Sequence, residues 1–249
     1  MRILSEPHQR IVLTFVLISG LTVPAFSASK LHTVNFGKWI SVPYSDDAGL
    51  PDEKLVNHKL ADEKLIALKV RALVVDAHVK EFTLGTPHEI TDRLFVVRRA
   101  FRLNDSLPQE SGPAPHWRWQ RGGWLLIDRA TGRISPVNLP EFDVVYSEVT
   151  WYRDYAAYCG VSDDSKQIYA VVAQINRRKP VVKWLVEETK FSVDTQQWQL
   201  PDPPCPPPDW QRSPTRVTFE PNPVTKRTYV IRGHSVDLST GEEDEEAAK

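Results

Sequence analysis

Charge of one sign, cysteine and long apolar runs are all scarce in this chain, and each scarcity closes off a class of protein. Lysine and arginine number 31 against 32 aspartates and glutamates, a formal net charge of −1. So even a balance leaves no electrostatic footprint for nucleic acid and no strong pull towards anionic lipid. The 7 histidines include no His-Glu-x-x-His and no His-x-His, and the chain has no Cys-x-x-Cys, so the spacings that gather zinc ligands are missing. His58, His78 and His88 read as turn histidines. Asp46-Asp47 and Asp163-Asp164 read as turn formers, because no EF-hand loop surrounds either pair. Nor does a glycine-rich phosphate loop precede a helix. A nucleophile elbow needs Gly-x-Ser-x-Gly, and "GHSVD" at 233–237 puts Asp237 where the second glycine belongs, with strand patterns on both sides. The sequence implies no metal and no cofactor.

The one long apolar run is "IVLTFVLISGLTV", residues 11–23, behind Arg2 and Arg10 and ahead of Pro24 and small residues. As a helix it would span about 20 Å, short of the ~30 Å hydrocarbon core. A basic lead, a short apolar stretch and a small-residue site with Ala25 and Ser27 describe a secretory signal peptide, residues 1–27. The expected mature protein is secreted or periplasmic, with no stable membrane insertion after cleavage. Losing Arg2, Arg10 and Glu6 would leave 29 basic and 31 acidic residues, a formal charge of −2 over 222 residues. That length suits a single domain, expected over 28–240, followed by an acidic tail at 241–249.

Two cysteines remain, Cys159 and Cys205. In an oxidising compartment an even pair favours a disulfide, here closing a long loop and tethering the proline-rich "PDPPCPPPDW" at 201–210. Two unpaired thiols are the alternative that sequence leaves open.

Period-two alternation dominates from "HTVNFGKWISV" (32–42) onward, loosened at Gly37. "IALKVRALVVDAHVKEFTLG" (66–85) reads as two strands turning near Asp76-Ala77-His78, and "RLFVVRRAFRL" (93–103) as a third. In the latter, Arg98, Arg99 and Arg102 face solvent or pair at the rim. Residues 51–69 hold the only helix-like pattern, but their apolar pairs recur every five residues, so the segment reads as a charged insertion entering a strand near Leu65. Further strands are expected at 123–128, 132–139, 144–152, 154–161, 167–175 and 181–188, a hairpin at 190–200, and a final pair in "RVTFEP" and "RTYVIRG". The 20 prolines argue further against an all-α fold.

One turn phrase recurs. "IDRATGR" and "VDLSTGE" share Asp, two spacers, Thr and Gly, in which Asp caps the turn and Gly supplies a positive φ. Degenerate copies stand at Asp194 and Asp76, and the four aspartates lie 52, 66 and 43 residues apart. Spacings near the length of four short strands suggest repeated antiparallel sheets. "YAAYCGVSDDSKQIYAVVA" (155–173) resembles the inner hairpin of TolB-like and WD40-like β-propeller repeats, with Ser162, Asp163 and Asp164 in the Ser-Pro-Asp-Gly phrase but without its Pro and Gly. The resemblance covers about residues 120–240 and lacks the Trp-Asp blade ending. It implies an all-β fold of antiparallel sheets, β-propeller-like with few blades. A β-sandwich or meander is the alternative.

Aromatic residues are the most distinctive local feature. "HWRWQRGGWLL" holds Trp117, Trp119 and Trp124 with Arg118 and Arg121 between them, and "VTWYRDYAAY" adds Trp151 and Tyr152. Alternation puts Trp117 and Trp119 on one face of a strand. Flat rings with hydrogen-bonding neighbours either stack on a ligand or pack between sheets. The expected function is a non-catalytic binding module for a partner protein or an envelope polymer. The alternative is a hydrolase with an acid and a histidine at the ends of the sheets, for which Asp128, Asp143, Glu148 and Asp154 supply carboxylates.

Overall fold

β-Branched and aromatic residues in alternation leave this chain little besides strands to form. The computed structural model describes residues 32–44, 66–104, 117–192, 196–199, 205–232 and 235–239. Among them are seventeen strands in three sheets and a hairpin, and no helix. The expected signal peptide at 1–27, most of the 51–69 segment, residues 105–116, Asp194 and the expected acidic tail at 241–249 lie outside the described residues.

The first sheet begins with β1 (Val34–Phe36) and β2 (Ile40–Tyr44), separated where the sequence has Gly37. Both lie along the same long partner, β3 (Ile66–Val75), because the Gly37 amide donates to the Ala72 carbonyl (2.8 Å) and carries the chain across the gap. Asp76 and Ala77 then take positive φ (51° and 64°), a tight turn that returns the chain as β4 (His78–Glu89). Beside it run β5 (Leu94–Asn104) and the twelve-residue β6 (Trp117–Asp128), followed by β7 (Arg133–Pro136). A parallel bridge, Tyr44↔Trp119, joins β6 back to β2, so the pairings β2–β3–β4–β5–β6 form a closed cycle. Every strand of that cycle supplies a member of one apolar cluster: Val42, Leu68, Val70, Leu84, Ala100 and Trp119. A second cluster, centred on Phe95 and Ile127, fills the other end beneath β1 and β7.

The β6–β7 corner is the first copy of the repeated phrase. Asp128 Oδ1 accepts from the Ala130 amide (2.9 Å), and Gly132 takes a φ of +63°. Its capping role is the one that an aspartate followed by Thr-Gly favours.

After the corner, the apolar pattern at 144–149 does not become strand. The Asp143 carboxylate instead accepts from the Val145 and Tyr146 amides (2.8 and 2.7 Å), bending the chain into a turn that leaves Val144 and Val145 exposed. Only Thr150–Tyr152 pairs, as β8. An Asx turn outcompetes the ladder there because Asp has no strand propensity to lose.

The second sheet is an antiparallel meander of β8, β9 (Tyr155–Val161), β10 (Gln167–Gln174) and β11 (Val182–Glu188). Its β9–β10 turn is Ser162–Lys166, where the Ser162 hydroxyl donates to Asp164 (2.7 Å) and Ser165 holds a positive φ of 57°. A small hairpin follows, β12 (Lys190–Ser192) with β13 (Gln197–Gln199). The third sheet is again a four-stranded meander, β14 (Asp209–Arg212), β15 (Thr215–Asn222), β16 (Thr225–Arg232) and β17 (Ser235–Leu238).

The two meanders share a core. Tyr155, Ala157, Ala170 and Val172 of the second sheet pack with Val217, Phe219, Tyr229 and Ile231 of the third. On its opposite face, Ala156, Tyr158, Val171 and Ala173 pack with Leu139 and Trp124. β9 therefore has no exposed residue, and each large side chain so buried contributes about 1.5–3 kcal/mol. Cys159 and Cys205 form a disulfide with Cα atoms 6.1 Å apart, which pins the proline-rich approach to β14 against the second sheet.

Candidate functional site

β6 carries most of the aromatic phrase, and its course determines what each ring does. Trp119 stands within the cycle of strands, 9% exposed, with its ring edge-on to Phe82 at 5.1 Å. Trp117, two residues earlier at the end of the strand, has run past the core and is 53% exposed. The Arg102 guanidinium of β5 lies 5.4 Å from each of the two rings. Over an exposed indole such a cation is worth about 0.5–1 kcal/mol, and it steadies Trp117 without covering it. Arg118 is exposed and Arg121 half-buried, opposite Leu103 and Ala100 on β5.

The remaining rings are elsewhere. Trp124 packs edge-to-face on Trp151 at 5.1 Å between the first and second sheets, and His88 stacks on the Trp151 ring. Tyr152 stacks on Trp210 of β14 at 5.4 Å, between the second and third sheets, while its hydroxyl accepts from Thr215 Oγ1. Residues that lie within 36 positions in sequence thus occupy three separate places. Trp117, Trp119 and Arg102 form one group; Trp124 and Trp151 are inter-sheet packing; Tyr152 belongs to the shared core's edge. Arg102 was an unexceptional rim arginine in the sequence, since nothing in the chain announces that it faces both indoles.

A cleft of about 510 Å³ opens at one end of the first sheet, lined by His32, Thr33, Asp92, Arg93 and Arg129 among others. Arg93 chelates Asp128 with two bonds, and Arg129 chelates Glu89 at 2.6 and 2.7 Å, so both cations are neutralised. His32 Nδ1 lies 2.7 Å from Asp76 Oδ2, while Asp76 Oδ1 accepts from the Thr33 amide at 3.0 Å. A carboxylate on Nδ1 orients an imidazole for acid–base work. Asp76 had been notable only as a turn residue. Asp143 is committed to its turn, and Asp154 accepts from the Gln174 side chain (2.8 Å).

His78 and His88 do separate jobs, with ring nitrogens at the carbonyls of Asp76 (2.7 Å) and Arg153 (2.8 Å). His58 lies outside the described residues. Among the described residues no group of three or more His, Cys, Asp or Glu could hold a metal ion. Ser235 belongs to β17, hydrogen-bonded to β16, and not to a strand-to-helix elbow.

Compared with known proteins, the chain matches no family model, no curated protein and no solved structure. Its function must therefore be argued from its own surface.

Proposed function

We propose that this is an exported, non-catalytic binding module that holds a partner protein or an envelope polymer. The observation that carries the reading is Trp117, half exposed at the end of β6 and braced by Arg102. Leaving an indole in water forgoes burial, and such rings beside arginine are what binding hot spots are made of. The face-packed meanders support a propeller-like arrangement in which β8–β11 and β14–β17 are two blades. The disulfide supports an oxidising compartment. On this reading the native protein begins near Ala28, and recovery of intact Met1 from a membrane pellet would refute export.

The test uses the full mature chain and a panel of purified envelope polymers and secreted proteins. Trp117→Ala should weaken binding about tenfold while leaving the protein folded, its melting temperature lowered by no more than about 4 °C. Undiminished binding by the folded variant overturns the reading.

The His32–Asp76 pair beside the cleft favours a second reading, a hydrolase with an acid and a histidine at the ends of the sheets. Turnover of model esters or glycosides by the wild type, lost in His32→Gln, would replace the first reading with this one.

A further inference from the structure

Several cations among the described residues pair with a carboxylate. Arg93, Arg99, Arg129, Lys183 and Lys226 pair with Asp128, Glu81, Glu89, Glu141 and Glu220. The outward face of β2 and β3 departs from that pattern. Arg71 lies 3.9 Å from the Phe36 ring centre and 4.4 Å from that of Trp39, and its Nη2 donates to the Gly85 carbonyl (3.4 Å). Its Nε is buried without a hydrogen-bond partner. Neither Arg71 nor Lys69 has a carboxylate partner among the described residues.

Beside these cations is the second exposed tryptophan of the first sheet. Trp39 is 46% exposed, and it lines a cleft of about 340 Å³ with Ile40, Ser41, Lys69 and Gly85. That volume is at the small end for ligand sites, suited to a compact unit and not to a protein domain. Arg71 under the indole fixes the ring's plane, so stacking on it costs little further ordering. A flat ring, a hydroxyl and an unpaired ammonium around one cleft match a pyranose that carries an acid. In such a cleft a sugar's C–H face would lie on the indole, its hydroxyls beside Ser41 and its carboxylate beside Lys69.

We infer that the Trp39–Ser41–Lys69 cleft binds acidic sugar units of a polysaccharide. The inference rests on the binding-module reading, and it names a ligand class and a site separate from Trp117.

Calorimetric titration of the mature protein with three acidic oligosaccharides (oligogalacturonate, oligoalginate and hyaluronan fragments) tests it, alongside neutral galacto-oligosaccharides and poly-glutamate peptide. At least one acidic sugar should bind, and Lys69→Gln and Trp39→Ala should each weaken it about tenfold, as should added salt in smaller degree. The neutral sugars and the peptide should not. Lys69→Gln changes a solvent-exposed position, so it decides the matter even if Trp39→Ala disturbs folding. Absence of binding by all three acidic sugars, equal binding of the neutral sugars, equal binding of the peptide, or indifference to Lys69→Gln overturns the inference. Failure here with Trp117-dependent binding intact would refute only this site. Failure of both would refute the module reading itself.

Discussion

The edge of one indole in the Trp124–Trp151 pair meets the face of the other, with ring centres 5.1 Å apart, and this contact joins the first sheet to the second. Both indole Nε1 atoms are buried without a hydrogen-bond partner, so the two rings themselves meet by packing alone. His88, stacked on Trp151 and bonded to the Arg153 carbonyl, is the polar support alongside it.

Truncating either ring should therefore loosen the union of the two sheets. Trp124→Ala and Trp151→Ala are each expected to cost about 3 kcal/mol, since a buried tryptophan truncated to alanine costs 3–5 and these rings are partly exposed. The double variant should cost less than the sum, by about 0.5–1.5 kcal/mol, as edge-to-face pairs do in such cycles. Urea unfolding of the four proteins measures this, and strict additivity would mean that the rings act independently. Trp117→Ala, by contrast, should cost only its exposed contact with Arg102, about 0.5–1 kcal/mol.

Reduction of Cys159–Cys205 releases a loop of 46 residues. The chain-entropy model assigns such a closure about 4 kcal/mol. Cys205→Ser should shift the urea midpoint downward by a corresponding amount while native β-sheet circular dichroism persists at zero denaturant. Non-reducing peptide mapping of the wild type should recover the linked peptides, and two alkylatable thiols would refute the bridge.

Glycine substitutions on β6 and β9 should differ sharply. A Cβ at Gly160 would press into the carbonyl of Glu141, which already accepts from the Val161 amide at 2.7 Å, whereas one at Gly123 meets nothing within 4 Å. Gly160→Ala is expected to destabilise by more than about 2 kcal/mol and Gly123→Ala by less than about 0.5 kcal/mol. Thermal melts of the pair check the contrast.

Stability should fall at both ends of the pH scale. Arg93, helped by Thr131 and the Ala130 amide, holds the Asp128 carboxyl below its ordinary range; Arg129 does the same for Glu89, and the Ser162 hydroxyl for Asp164. Each depressed carboxyl contributes stability that is complete above the unfolded value, about 4, and is lost as pH falls through the folded value. Burial raises the phenols of Tyr158, Tyr146 and Tyr155, so their contribution is complete below about 10 and is lost as pH rises beyond it. Melting temperatures between pH 2 and 11 should show a plateau from about 5 to 9. Arg129→Gln should flatten the acid side, and an unchanged acid side would show that the pair contributes nothing.

Local pattern was sufficient for most of the secondary structure. Alternation at 66–85 and 155–173, with Asp and Ser between the runs, specifies hairpins because period-two burial and turn chemistry act over a few residues. The exception at 144–149 has the same origin: the Asp143 side chain bonds its own neighbours more readily than the apolar alternation there finds a strand partner. The Asp128–Gly132 corner was likewise local. The pairing of Cys159 with Cys205 was expected from their even number and from the export reading, although only the fold brings their Cα atoms to 6.1 Å.

What the sequence determined by itself was the class of structure: antiparallel strands, their turns, and an aromatic-rich stretch that had either to pack or to bind. Which of the two each ring does was decided only in three dimensions. Trp117 and Trp119 share a strand and a face, yet one is exposed and the other buried, because the cycle closed by Tyr44↔Trp119 ends between them. Trp39 was one apolar member of an alternating run until Arg71, thirty-two residues away in sequence, came to rest against its ring. Burial depends on which strands meet, and strand meetings between distant segments are selected by the whole core at once and not by any short stretch of chain.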